Sequence, residues 1–145
     1  MATDEIRVDV SAAGDFEAYS TAVREAAARA LAYLEERGEL SVALVDDPTI
    51  ARLNGIWRGK EGPTDVLAFA QREGEDLGAT ELLGDVVISI PMAERQAVEH
   101  GLSVECEIRE LLVHGILHLL GYDHERSPSE ARRMFARQRQ VLEAL

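Results

Sequence analysis

Three of the chain's four histidines fall within eleven residues, HGILHLLGYDH, running from His114 to His124. His114 and His118 stand four apart, so on a helix both imidazoles leave one face about one turn apart. A single metal ion can bridge such a pair. Gly121 follows shortly after, and glycine tolerates the left-handed conformation that turns a chain sharply at a helix C-terminus. That turn can bring His124 back toward the pair. Three nitrogen ligands with an open fourth position is the arrangement expected of catalytic zinc.

One histidine on an apolar helix is ordinarily a core residue with its polar atoms satisfied. A pair at helical spacing with a third just past the turn fits that account poorly. Leu111, Leu112, Val113, Ile116 and Leu117 make the flanks apolar on nearly every side, so the helix reads as buried. Burying imidazoles without partners costs on the order of 1–3 kcal/mol each. A metal removes that cost and requires the neutral ring. The expectation is one zinc ion on His114, His118 and His124. His100, alone near a helix end, reads as a surface residue.

The spacing H-x3-H-x5-H, with glycine at the eighth place, is that of the metzincin proteases, H-E-x-x-H-x-x-G-x-x-H. Where those proteases carry the glutamate base, this chain has Gly115. A glycine cannot take a proton from water, so the metal site and protease activity come apart. Asp123 reads equally as an acceptor orienting an imidazole or as a turn-forming residue. Tyr122 either reaches the site or covers it.

A second stretch, NGIWRGKEGPTDVLAFA over 54–70, carries Arg58 and Lys60 out of a helix into a glycine-containing loop, with Thr64-Asp65 before a strand. Taken alone it reads as a solvated loop with a turn-forming Thr-Asp. Near a metal, however, an arginine can clamp a phosphate bidentately and stabilise its developing charge. In LLGDVVIS, over 82–89, Asp85 stands at the start of a predicted strand and reads as a strand-end cap.

The elements that must hold these groups follow from periodicity. Strands are predicted at 6–10, 39–47, 65–70 and 82–90. A long helix is predicted from Asp15 to Arg37, stopped by Gly38. Asp47-Pro48 supplies an N-cap and first-turn proline for a second, through Trp57. Pro91 opens a third, which ends at His100 before Gly101. Ser103 starts the helix of the first two histidines, and Gly121 ends it. Ser127-Pro128-Ser129-Glu130 is a capping box for a last helix to the C-terminus. The segment 71–81 is acidic, breaks both periodicities and reads as a loop. This order predicts one α+β domain over 1–145: a small mixed sheet of about four strands with helices packed on it, and the zinc site at the end of a buried helix. Strand order does not follow from it.

The formal net charge of −12 opposes non-specific adhesion to nucleic acid or anionic membrane. A nucleic-acid reading must therefore name local cations, since screening confines exposed charges to roughly 8–10 Å. A single cysteine, Cys106, precludes an internal disulfide. No signal peptide or apolar span is evident, so a soluble cytoplasmic protein without a membrane partner is expected.

Together the three stretches resemble the YbeY family, metal-dependent endoribonucleases of ribosome maturation. Arg58, Thr64-Asp65-Val66-Leu67 with Phe69, Gly84-Asp85 with Ser89, and His114-Gly115 through Leu117 to His124 carry the resemblance. It spans roughly residues 40–135 in order, and the following helix with Met134 fits too. The family reads S-F-P where this chain has Ala68-Phe69-Ala70; losing the proline bears on the strand's end but removes no chemical group. The N-terminal 40 residues match only as strand then helix. The resemblance implies an α+β fold and one Zn2+ on His114, His118 and His124. It implies hydrolysis of single-stranded RNA in ribosomal RNA processing, notably at the small-subunit 3′ end, and a role in ribosome quality control. Arg58 matches the family's functionally important arginine, and His114 its most sensitive histidine. With Lys60 these form the expected catalytic and substrate-binding set; Thr64, Asp65, Asp85 and Asp123 are expected around it or in structural roles. The acidic balance implies weak binding of free RNA and delivery by the ribosome or a ribosomal protein. Two rivals remain: a metal hydrolase of peptides or small esters, and a non-catalytic, zinc-stabilised ribosome-assembly factor.

Overall fold

Alternating burial in two segments and short, mostly apolar runs in two others form four strands in the computed structural model, which describes residues 5–71 and 82–145. They are β1 (Ile6–Ala12), β2 (Gly38–Val45), β3 (Val66–Ala70) and β4 (Leu82–Ser89). The sheet order is β1-β2-β4-β3, parallel except for the antiparallel β3. The helices are α1 (Ser20–Tyr33), α2 (Asp47–Arg58), α3 (Ile90–His100), α4 (Val104–Leu119) and α5 (Pro128–Glu143). The α+β class and the small mixed sheet are as the sequence predicts.

α4 is the central helix. It touches β3 and β4 on one side and α1, α3 and α5 on the others. Leu112, Val113, Ile116 and Leu117 are accordingly inaccessible to solvent. The core around them is aliphatic, built with α1's Ala27, Ala30 and Leu31 and with Leu40, Leu44 and Ile88 of the sheet. A smaller cluster of Ile50, Leu67 and Val87 seats α2. Among the described residues no helix is long and apolar enough to cross a membrane.

Several boundaries differ from the prediction. The helix expected over 15–37 is a short 3-10 helix (Gly14–Tyr19) followed by α1, which ends at Tyr33. Phe16 and Tyr19 are three apart, a spacing that puts both on one side of either helix type. The stop is Glu35, left-handed at φ 59°, rather than Gly38, which opens β2. The cap of α2 is Asp46, whose carboxylate accepts the Thr49 N–H at 3.0 Å; Asp47 is already inside the helix. Asp85 lies within β4, paired with Ser41 and Phe69, and not at a strand end. Beside it, Gly84 takes φ +147°, and a Cβ there would stand 2.3 Å from the Phe69 carbonyl oxygen. The predicted acidic loop lies outside the described residues except for Gln71, whose N–H donates to the Leu83 carbonyl at 3.0 Å.

Candidate metal centre and cleft

The last turns of α4 place His114 and His118 with ring centroids 5.0 Å apart. Gly121, at φ +102°, then reverses the chain, and the Tyr122 N–H closes the turn on the Leu117 carbonyl at 3.1 Å. This returns the His124 ring to 5.0 Å from His114 and 5.3 Å from His118. One nitrogen of each imidazole lies within 4.8 Å of the others. The convergence read from the spacing is therefore realised.

The residues fit a metal ion on independent grounds. His124 Nδ1 is buried with no hydrogen-bond partner, an uncompensated cost that coordination would remove. His114 Nδ1 lies 3.0 Å from Gln138 Oε1. The orientation of that amide is fixed, because Gln138 Nε2 donates to Glu110 Oε1 at 3.2 Å and a carboxylate can only accept. Gln138 Oε1 must then accept, so His114 carries its proton on Nδ1 and leaves Nε2 bare for a ligand bond. This is the usual support for a metal-binding histidine. Arg139 steadies Glu110 from its other oxygen at 3.4 Å. Burial pushes the His114 imidazole below the ordinary histidine value of 6.5, against the opposing bond to Gln138. Burial, aided by the neighbouring His114 and His124, lowers His118 as well. Both rings are thus neutral near pH 7, as metal ligation requires. Three imidazoles make a donor set suited to zinc.

The cluster opens into a cleft of about 570 Å³. One wall is the end of α2 and the segment after it, with Arg58, Lys60, Thr64 and Asp65; α5 supplies Phe135 and Gln138 to the cleft. Arg58 closes α2, where Gly59 caps the helix in the left-handed conformation, and it also lines an adjoining hollow with His118 and Asp123. Asn54 Nδ2 donates to the Gly62 carbonyl at 3.0 Å and ties the Lys60 loop back to α2. Thr64 donates to Asp65 Oδ1 at 3.4 Å, and Gln96 donates to Oδ2 at 3.3 Å. Asp65 is near enough to His114 to favour its protonated form.

Of the residues expected around the site or in structural roles, Asp85 and Asp123 take structural places. Asp85 does not line the cleft; it joins Asp9, Ser11 and Ser41 on a separate hollow of the sheet and takes a bond from Gln71 at 3.4 Å. Asp123 forms a turn, accepting the Glu125 N–H at 3.0 Å, and gives no bond to the orphaned His124 nitrogen. Tyr122 packs partly into the core under the Arg133 guanidinium, 4.9 Å from its ring centroid.

Sequence reasoning missed Gln138 and Glu110, because their link to His114 is a contact between helices with no local signature. His100 is exposed, as expected of a surface residue, but it is also engaged. Its Nδ1 lies 2.9 Å from Glu107 Oε1, and Glu107 is only 2% exposed. The hydrogen bond to that carboxylate, then its charge, raises the His100 pKa. The cleft therefore has a cationic flank at Arg58 and Lys60 and an acidic one at Glu99, Glu107 and Glu110.

The chain is similar to known proteins along most of its length. The family model "Endoribonuclease YbeY" matches residues 5–145. An endoribonuclease YbeY of Persephonella marina is 51% identical over 122 residues, 83% of this chain and 80% of the relative. That of Geobacillus thermodenitrificans is 49% identical over 127 residues, with the same coverage of 83% and 80%. That of a Roseiflexus species is 39% identical over 100% of this chain and 96% of its own. A solution structure of a Thermotoga maritima protein superposes with a TM-score of 0.66 at 28% identity, covering 94% of this chain and 87% of that one.

Proposed function

The chain belongs to the endoribonuclease YbeY family, and on that footing we propose that it is a single-domain, zinc-dependent endoribonuclease specific for single strands. Its place is ribosomal RNA maturation, at the small-subunit 3′ end, and ribosome quality control, in the cytoplasm. The observation that carries the reading is the convergence of His114, His118 and His124 in one cleft with Arg58 and Lys60.

Zinc held by the three imidazoles would supply Lewis acidity toward a phosphoryl oxygen and lower the pKa of a water. Everything else falls to the chain's own residues. Arg58 presents a planar fork suited to two phosphate oxygens, and Lys60 adds a second charge beside it. Gln138 holds the His114 ring in one tautomer. Gly115 offers no base, so whether water or the RNA 2′-OH is the nucleophile, its proton must go to another group. Among the described residues the cluster holds three donors and no fourth. That favours catalysis over an ion that merely closes the fold.

The test joins metal analysis to cleavage of RNA, peptides and small esters, with and without chelator, for wild type, His114→Ala and Arg58→Ala. His114→Ala is expected to lose zinc and RNA cleavage together. Arg58→Ala is expected to keep zinc and lose cleavage about 100-fold or more. An Arg58→Ala enzyme that cleaves RNA at full rate removes the role given to Arg58. Chelator-sensitive cleavage of peptides or esters but not RNA overturns the ribonuclease reading.

A further inference from the structure

α5 brings to the cleft one side chain with no polar chemistry. Phe135 lines it with half its surface, 50%, in solvent. Its ring lies 6.2 Å from that of His114 and nearly parallel to it, at 22°. It lies 5.8 Å from the ring of His124, at 49°. Leaving aromatic surface in water forgoes about 25 cal/mol for each Å² not buried. The ring cannot retreat, because the adjacent Met134 is inaccessible and anchors α5 in the core. Gln138, three residues on, shares its side of the helix and is bonded to His114. The backbone that carries Phe135 is thus fixed relative to the imidazoles.

An exposed, well-supported aromatic face beside a cationic wall is how proteins hold single-stranded nucleic acid: cations track the backbone and bases stack on rings. We propose that Phe135 is a stacking platform for a nucleobase of the bound strand, flanking the phosphate that Arg58 and the histidine cluster engage. The proposal rests on the ribonuclease reading and gives it a physical source of strand selectivity. A base inside a duplex is already stacked and paired, so only an unpaired one can be splayed onto the ring. Every base has a π face, so the platform tolerates all four and favours the larger purines.

The experiment uses the full zinc-loaded chain and a short oligoribonucleotide with one cleavage site. Abasic residues are walked through the positions around that site, and kcat, KM and zinc content are measured for wild type, Phe135→Leu and Phe135→Tyr. For wild type, one flanking abasic position raises KM about 5- to 150-fold, the range expected for losing one stacked base. Phe135→Leu raises KM similarly on the intact strand, keeps kcat and zinc, and is indifferent to that abasic position. Phe135→Tyr behaves as wild type. The proposal is overturned if no abasic position affects wild-type KM, a result independent of whether the Leu variant folds. It is also overturned if Phe135→Leu lowers kcat or zinc content at unchanged KM, since the ring would then only support the imidazoles. Cleavage by wild type with neither abasic nor Phe135 effects leaves the ribonuclease reading standing alone. Wild type that cleaves no RNA overturns both.

Discussion

Gly115 has a packing reason to be glycine as well as a chemical consequence. A Cβ built there would lie 2.8 Å from Val86 Cγ1 and 3.3 Å from Val66 Cγ2. Both neighbours are β-branched and stiff at χ1, so neither swings aside cheaply. A side chain at this position is aimed into the sheet, which leaves no room for the glutamate of the protease pattern. Gly115→Ala should cost about 1–3 kcal/mol by overpacking, read from urea unfolding. It should also weaken zinc binding, because His114 and His118 move with α4. A variant as stable as wild type with unchanged zinc affinity would show that the helix has slack. The three-histidine cluster was legible because spacing alone brings it together: one helical turn and one reversal. Gln138 was not, since it reaches His114 across 24 residues of sequence from another helix. Gln138→Leu should reduce zinc affinity about 10- to 100-fold, as loss of an orienting partner generally does, measured by competition with a chelator. Unchanged affinity would mean that the bond does not set the ring.

Ser89 joins the elements that carry Arg58 to the cleft. It ends β4 and is fully buried. Its hydroxyl accepts the Met92 N–H at 3.2 Å, capping α3, and donates to Asp47 Oδ1 at 2.7 Å. Asp47 Oδ2 takes Arg95 at 2.8 Å. The first turn of α2 is thereby fixed to β4 and α3, and Arg58 lies at its other end. The Ser89 hydroxyl, and then Arg95, hold the Asp47 carboxyl below the ordinary 3.8 against the effect of burial. Ser89→Ala should cost about 1–3 kcal/mol through the lost cap and the buried bond. A depressed carboxyl stabilises the fold above its ordinary value and loses that contribution as pH falls through the folded one. The wild-type advantage should therefore be full at neutral pH and shrink below pH 3.8. An advantage that is the same on both sides of that pH would assign it wholly to the cap. Ser103 and Ser127 cap α4 and α5 as the sequence predicts, because a cap is a local bond within three residues. Asp46 was overlooked for Asp47 because either aspartate satisfies the same local pattern. The sheet order was illegible for a different reason: β2 and β4 pair across a long stretch of chain, and nothing in either strand names its partner.

Net charge places a limit on what the cleft can do unaided. The chain carries 27 acidic against 15 basic side chains. Arg58 and Lys60 line the cleft, but Glu99, Glu107 and Glu110 line it too. Each phosphate neutralised on a single strand contributes a slope of about −0.7 to log K against log salt. Two cations therefore allow at most about −1.4, and screening of the net negative field pushes the other way. Naked oligoribonucleotides should bind only at micromolar concentrations or weaker, with a slope shallower than that limit. Lys60→Ala should flatten the slope further by about 0.7 without touching zinc content. A partner that delivers RNA, the ribosome or one of its basic proteins, would instead meet the acidic surface directly. Its association should weaken steeply as salt rises. Anisotropy titrations of a labelled single strand from low to physiological salt decide the point. Nanomolar affinity that salt does not change would remove any need for a partner, because the cleft would then hold RNA by contacts that the net charge does not oppose.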